Sequence, residues 1–168
     1  MTNNLAPHDA TSALPAKGSL MARGWATLKG IFFRPPILQV AMLCTRQGEK
    51  GPEVLLVKSL DSGRWILPKG WPMEGRTLAE AAAREAWEEA GAKGRVTPSE
   101  IARFPAMKRR HGGLEVPAEV VVFRMDDTEL HDDYPEAKER KRRFLPAKKA
   151  AARADLEEIG DLIRRLFC

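Results

Sequence analysis

The pattern of apolar and polar positions changes period several times along the chain, and each change predicts an element. Residues 1 to about 24 mix Asn, Ser, Thr, Pro and Ala without periodicity and read as a loosely ordered arm. A single domain is expected over 25–168, with its packed part beginning near Ile31. Ile37 to Thr45 and Val54 to Ser59 are rich in apolar and β-branched residues and flank the turn-prone QGEKGP, which predicts two antiparallel strands. Arg64 to Leu67 follows as a short strand after the turn signal Asp61-Ser62-Gly63, and Pro68 ends it. The clearest helix starts at Thr77-Leu78-Ala79-Glu80, a capping-box pattern, and stops at Gly91, a residue able to take the left-handed conformation that closes helices. Ile101 to Lys108 and Glu119 to Met125 read as further strands around a Gly112-Gly113 turn, and Arg142 to Leu145 as one more. Pro146 then opens a helical tail, Ala147 to Ala152. From Leu156 to Phe167 the apolar residues Leu156, Ile159, Leu162, Ile163 and Leu166 fall at helical spacing.

Composition narrows the class without changing this outline. The 168 residues suit one core, and 43% apolar with 30% charged residues is ordinary for a globular domain, which argues against disorder for the bulk of the chain. No stretch approaches the roughly 20 apolar residues of a spanning helix. The N-terminus lacks a basic start followed by an apolar run, so no secretory signal is read there. Cys44 and Cys168, far apart and without metal-ligand spacing, suit two unpaired thiols in a reducing compartment, and a cytoplasmic location is expected. The net charge of +5 is unevenly spread: the acidic run Asp126, Asp127, Glu129, Asp132, Asp133, Glu136 is followed by the basic Lys138, Arg140, Lys141, Arg142 and Arg143. This segment reads either as a solvated loop beside an exposed strand or as a basic surface for a phosphate-rich ligand. No RNA-binding signature or aromatic-interleaved stripe favours nucleic acid.

The helix after Thr77 carries the candidate chemistry. At about 100° per residue, Glu88 lies about 60° to one side of Glu85 and Glu89 about 40° to the other, so the three carboxylates share one narrow face. Ala79, Ala83, Ala86, Trp87 and Ala90 fall opposite, on the face expected to be buried. Clustered carboxylates repel one another and raise each other's pKa, so something positive is expected beside them. A hard dication is a natural partner, because Mg²⁺ shares its oxygen shell among carboxylates, waters and substrate phosphates. The plainer reading is a solvated helix face laced by Glu80–Arg84 and Arg84–Glu88 pairs at four-residue spacing.

The flanking residues decide between them. Gly70 to Ala92, GWPMEGRTLAEAAAREAWEEAGA, resembles the Nudix box G-x5-E-x7-R-E-U-x-E-E-x-G-U, where U is a bulky aliphatic residue. Gly70, Arg84, Glu85, Glu88, Glu89 and Gly91 stand at the required spacings. The resemblance implies an α+β fold, an α/β/α sandwich around a mixed sheet, in which the box forms a platform for pyrophosphate hydrolysis. Carried over residue by residue, it implies that Glu85 and Glu89 bind metal and that the Gly70 carbonyl adds a ligand. Glu88 binds metal or acts as the base, and Arg84 orients the carboxylates through a salt bridge. The expected cofactor is Mg²⁺, with Mn²⁺ as the alternative. Two positions depart from the box: Arg76 replaces its first glutamate, which leaves the number of metals open, and the aliphatic positions hold Ala86 and Ala92.

Within that family the WILPKG lead-in, the EEAGAKG at the end of the box and the late PEAKERKRRFLP are similar to diphosphoinositol polyphosphate and diadenosine polyphosphate hydrolases. A small anionic polyphosphate is the expected partner. Arg64, Lys69, Lys108, Arg109, Arg110, Arg140 and Arg142 are candidate phosphate donors, each also readable as solvated surface charge. Glu119, opening an apolar strand, is a candidate acid from outside the box or a simple edge-strand charge. His111 is a loop histidine able to donate to a phosphate, and Trp71 either stacks on a base or packs on the sheet. Arg76 also admits a rival reading, a non-catalytic module that binds a phosphorylated ligand. The basic segments admit another, hydrolysis at the pyrophosphorylated end of RNA.

Overall fold

The computed structural model describes residues 36–109 and 115–168. The proposed arm and its boundary, Ile31, the Gly112-Gly113 turn, Arg110 and His111 lie outside the described residues. Among the described residues seven strands and three helices follow in the order β1 (Ile37–Gly48), β2 (Gly51–Lys58), β3 (Trp65–Ile66), β4 (Lys69–Gly70), α1 (Leu78–Ala90), β5 (Ala92–Arg109), β6 (Glu115–Leu130), β7 (Arg142–Pro146), α2 (Ala147–Arg153) and α3 (Glu157–Phe167).

The sheet runs β3-β2-β1-β6-β5, with β4 on β1 and β7 on β2. It is mixed because β1 lies parallel to β6, pairing Ile37 with Ala118 through Cys44 with Met125, while the other pairings are antiparallel. Alternation along β1 sorts side chains to two cores. Ala41 and Leu43 face a cluster with Val120, Val122, Ile159 and Ile163, so α2 and α3 cover that side. Val40, Met42 and Cys44 face the other cluster, where Ala79, Ala82, Ala86 and Ala90 of α1 pack on Val121 and Phe123. The small alanine face brings the α1 backbone close to the sheet, and that proximity positions the site. Burial pushes the Cys44 thiol up, which keeps it protonated in this second core. Both cysteines are free.

The predicted elements are present with shifted limits. β5 and β6 are much longer than the expected Ile101–Lys108 and Glu119–Met125. The period-2 signal in β5 fails around residues 93–102, where the β5–β6 register shifts twice, so pairing with β6 rather than local patterning carries that stretch. β4 was not predicted. It is two residues of WILPKG that add to β1 through Val40–Gly70 and Ala41–Lys69, secured by Met42 N–H donating to the Pro68 carbonyl at 3.0 Å. Among the described residues no helix is long and apolar enough to cross a membrane.

Candidate active site

α1 starts as its sequence dictates. Thr77 Oγ1 accepts from the Glu80 N–H at 3.2 Å and the Glu80 carboxylate accepts from the Thr77 N–H at 2.8 Å, a complete capping box. Glu80 is thereby taken from the expected pair with Arg84. The helix ends at Gly91, whose φ of 58° is left-handed and whose N–H donates to the Trp87 carbonyl at 2.8 Å.

The three glutamates are presented unequally, which corrects the expectation of a uniformly displayed face. Glu85 and Glu88 are partly exposed, but Glu89 is 6% exposed. On the opposite face Ala83 and Trp87 are only partly buried, because the packed stripe is rotated toward Ala82, Ala86, Glu89 and Ala90. Trp87 instead lies under the Lys93 ammonium, 4.3 Å from the ring centroid, with the His131 ring edge-on at 5.5 Å.

β4 meets this helix at the carboxylates. The Lys69 N–H donates to Glu89 Oε2 at 3.1 Å, and two residues on the Trp71 backbone amide offers a hydrogen bond to Glu85. Amides two apart along an extended segment point the same way, so β4 and the residue that follows it face two box carboxylates. Gly70 lies between them, and a Cβ there would fall on the Glu85 carboxylate. Any other residue would displace the glutamate, which is the physical reason for glycine at this position.

Charge explains the rest of the arrangement. Burial raises the Glu85 pKa, and the neighbouring Glu88 charge adds to it. Burial pushes Glu89 up to about 7, against the pull of Arg140 and the Lys69 amide. Arg140 is the cation that the sequence demanded beside the cluster. Its Nη2 stands 2.9 Å from Glu89 Oε1, with both side chains 8% exposed, and its Nε is 2.5 Å from Glu136. Arg84 donates to Glu88 at 2.5 Å across one helical turn, the salt bridge the box resemblance implies.

The other predicted residues separate into groups. Lys69, Lys108 and Trp71 come together beside Gly70: burial lowers the Lys69 pKa first and the Lys108 charge lowers it further, while the Lys108 ammonium is 5.9 Å from the ring of Trp71, which is 46% exposed. Lys69 Nζ also donates to Gln39 at 3.3 Å. Arg64 pairs with Asp155 at 2.7 Å, at the lead into α3. Arg142 is turned away from solvent, donating to the carbonyls of Ala90 at 2.5 Å and His131 at 2.6 Å and pairing with Asp132 at 2.8 Å. Glu119 pairs with Arg103 at 2.7 Å, and Arg103 also holds Glu100. Arg109 ends β5.

Sequence reasoning missed Glu136. Its charge raises the pKa of both Glu85 and Glu89, and its N–H donates to the Glu88 carbonyl at 3.1 Å. The one local sign was the Glu136–Arg140 spacing of four, which the acidic-to-basic run masked. Neither the solvated loop nor the phosphate surface expected of that run describes Arg140 and Arg142, whose donors go to α1 and its neighbours.

Among the described residues no three His, Cys, Asp or Glu side chains are already gathered around an ion position, because Glu88 is drawn to Arg84 and Glu89 to Arg140. The donor set nevertheless fits a hard dication. It consists of oxygens, its carboxylates raise one another's pKa, and the glycine cradle leaves room for Glu85 beside the strand.

Comparison with known proteins agrees with this architecture. The sequence matches the NUDIX domain profile over residues 36–166. It is 38% identical over 106 residues to the Arabidopsis thaliana protein named Nudix hydrolase 12, mitochondrial, covering 58% of this chain and 50% of that protein, so the chain spans about half the length of this curated relative. Among solved structures it resembles the C. elegans Ap4A hydrolase, with a TM-score of 0.54 and 19% identity over 79% of this chain and 96% of that one. It also resembles the NUDIX domain of Shewanella oneidensis NrtR complexed with ADP ribose, with a TM-score of 0.59 and 16% identity over 86% and 97%. At such identities the likeness is one of fold, and it bears out the α/β/α sandwich around a mixed sheet. The profile match spans nearly all of the described residues and includes the complete Gly70–Gly91 segment, and the chain belongs to the Nudix family.

Proposed function

We propose that the chain hydrolyses a pyrophosphate linkage in a small anionic polyphosphate, with Mg²⁺ or Mn²⁺ held by Glu85, Glu88, Glu89 and the Gly70 carbonyl. The observation that carries this reading is the approach of Lys69–Trp71 to α1, where the amides of Lys69 and Trp71 face Glu89 and Glu85 on either side of Gly70, whose lack of a Cβ leaves the Glu85 carboxylate its place. Nudix hydrolases generally use divalent metal ions, which supports the choice of cofactor. A dication bound there neutralises polyphosphate charge and activates a water for attack on phosphorus.

The chain's own residues divide the remaining work. Glu88 is more exposed than Glu89 and, among the described residues, its carboxylate is paired with Arg84 alone, so it is the carboxylate available to take a proton from the attacking water. Arg84 fixes its orientation. Burial and then the nearby Lys108 charge make the Lys69 charge costlier, and an anionic phosphate relieves that repulsion. Trp71 offers an exposed indole beside them, a surface on which a base or a sugar stacks. Diadenosine polyphosphates and diphosphoinositol polyphosphates are the substrate classes proposed, and the cytoplasm is the proposed location.

The test combines substitution with a substrate panel. Glu88→Gln and Glu89→Gln preserve size and remove charge, and each is expected to lower Mg²⁺-dependent turnover by about 100-fold or more. The panel contains dinucleotide polyphosphates, inositol pyrophosphates and triphosphorylated RNA, with products identified by mass spectrometry. Wild-type-like turnover in both variants sinks the mechanism. No product from any substrate with either metal leaves a phosphate-binding module, and activity on RNA alone overturns the substrate assignment.

A further inference from the structure

The segment between β6 and β7 lies over the carboxylate side of α1, although nothing in the box resemblance assigns it a role. Two contacts fasten the segment and the start of β7 to the helix, and a third ties it to β2. The Glu136 N–H donates to the Glu88 carbonyl at 3.1 Å, the Lys58 N–H donates to the Lys141 carbonyl at 2.8 Å, and Arg142 donates to the Ala90 carbonyl. Arg140 therefore reaches the helix from a backbone anchored on both sides.

Its guanidinium is held as firmly as its backbone. Nε meets Glu136 at 2.5 Å, Nη1 donates to the Lys58 carbonyl at 3.4 Å, and Nη2 meets Glu89 Oε1 at 2.9 Å. Glu89 Oε2 is held from the opposite side by the Lys69 N–H at 3.1 Å. The two oxygens of one buried carboxylate are thus fixed by partners from two separate elements, which sets the plane of the group. Each oxygen has two lone pairs, so one on each remains available after these bonds. A flexible ammonium would supply the charge without the planar fork that spans two carboxylates.

We propose that Arg140 is the positioning residue for Glu89, braced by Glu136 and the Lys58 carbonyl so that the buried carboxylate is oriented in advance for a divalent cation. This rests on the metal-dependent reading given above. It assigns the late basic segment to the metal site rather than to the substrate. Groups that orient a metal-binding carboxylate typically account for about 10–100-fold in metal affinity. Arg140 acts through Glu89 and does not itself touch the substrate.

Binding of Mn²⁺ to the full chain, followed by the paramagnetic resonance signal of the free ion, reads this without turnover. Wild type binds, and Glu85→Gln loses that binding. Arg140→Lys keeps the charge but not the fork, and Arg140→Gln keeps a donor but not the charge; each is expected to weaken Mn²⁺ binding by about 10-fold or more. Arg142→Gln serves as the comparison. It removes a contact of the same segment with the helix end but none with a carboxylate of the trio, so it is expected to lower the melting temperature and leave Mn²⁺ affinity unchanged in the folded protein. Melting curves establish which Arg140 variant is folded, and that variant is the one read.

Affinity within twofold of wild type in the folded Arg140 variant overturns the proposal while the metal reading stands. Tighter binding also overturns it, by making Arg140 a competitor of the cation. Equal weakening by Arg142→Gln overturns it in favour of a general role for the segment. Absence of Mn²⁺ binding to wild type removes both the proposal and the reading on which it rests.

Discussion

At its N-terminus α1 is completed by its own chain: Thr77 and Glu80, three residues apart, satisfy each other's backbone amides. At its C-terminus no basic residue stands in the last turn, and the cation is brought in from β7, where Arg142 donates to the Ala90 carbonyl from 52 residues further on. Both ends meet the same electrostatic demand, a negative group at the start and a positive one at the finish. They differ in what must already be folded. The first end needs only one turn of helix, whereas the second needs β6, β7 and the connection between them in place. The end that depends on the whole fold is also the end that bears Glu88 and Glu89.

Breaking the distant end is expected to have the largest effect. Gly91 sits at φ 58°, and a Cβ there would run into the His131 carbonyl, with Tyr134 Cδ1 at 2.8 Å and Arg142 Nη1 at 2.9 Å. Gly91→Val combines the strain of a left-handed β-branched residue with overpacking, each about 1–3 kcal/mol, so a loss of about 3 kcal/mol or more is expected in urea denaturation. A loss below about 1 kcal/mol would show that the segment from His131 to Arg142 yields easily, and the contrast between the two ends would collapse.

The same contrast explains what was legible in the sequence. The capping box, the stop at Gly91 and the clustering of Glu85, Glu88 and Glu89 were readable because helical geometry relates residues three and four apart. The strands of the central sheet were legible from alternation and turn residues, although their ends moved where pairing with a neighbour overrode local preference. β4 was not legible, because two residues carry no period and the strand exists only through β1. Arg140 and Arg142 were misread for a related reason. A run of like charge looks solvated or ligand-facing until the helix it clasps is known, and no local signal says that Glu89 is buried. Glu136 was visible only as one more acid in a series. The box resemblance singled out the carboxylates of Glu85, Glu88 and Glu89, but it was silent on the residues that hold them.

The near end should yield less. Thr77→Ala removes the side-chain acceptor for the Glu80 N–H and the hydroxyl's bond to the Glu80 carboxylate, while the residue-77 N–H keeps its own bond to that carboxylate, at an expected cost of about 1 kcal/mol in the same denaturation experiment. The difference from Gly91→Val measures how much more of the helix's integrity depends on distant partners. A Thr77→Ala loss as large as that of Gly91→Val would mean that the local cap governs the whole element.

The smallest effect is the acid dependence of that local cap, and it separates the two ends by pH response as well as size. The Thr77 backbone N–H, and after it the Thr77 hydroxyl, holds the Glu80 carboxyl below its ordinary pKa, with Arg76 adding slightly. A carboxylate whose folded pKa is depressed contributes stability above its unfolded pKa, about 4.3 for glutamate, and loses that contribution as pH falls through the folded value. The gap in melting temperature between wild type and Thr77→Ala is therefore expected to be widest near neutrality and to narrow as pH falls below about 4.3. The gap for Gly91→Val arises from a steric clash and a left-handed backbone and has no such source, so it should persist across the same range. Parallel melting curves for the three proteins give both gaps at once. If the Thr77→Ala gap stays constant into acid, the hydroxyl acts through the Glu80 amide alone, and its own bond to the Glu80 carboxylate, at 3.0 Å, contributes nothing measurable to holding this end of the helix.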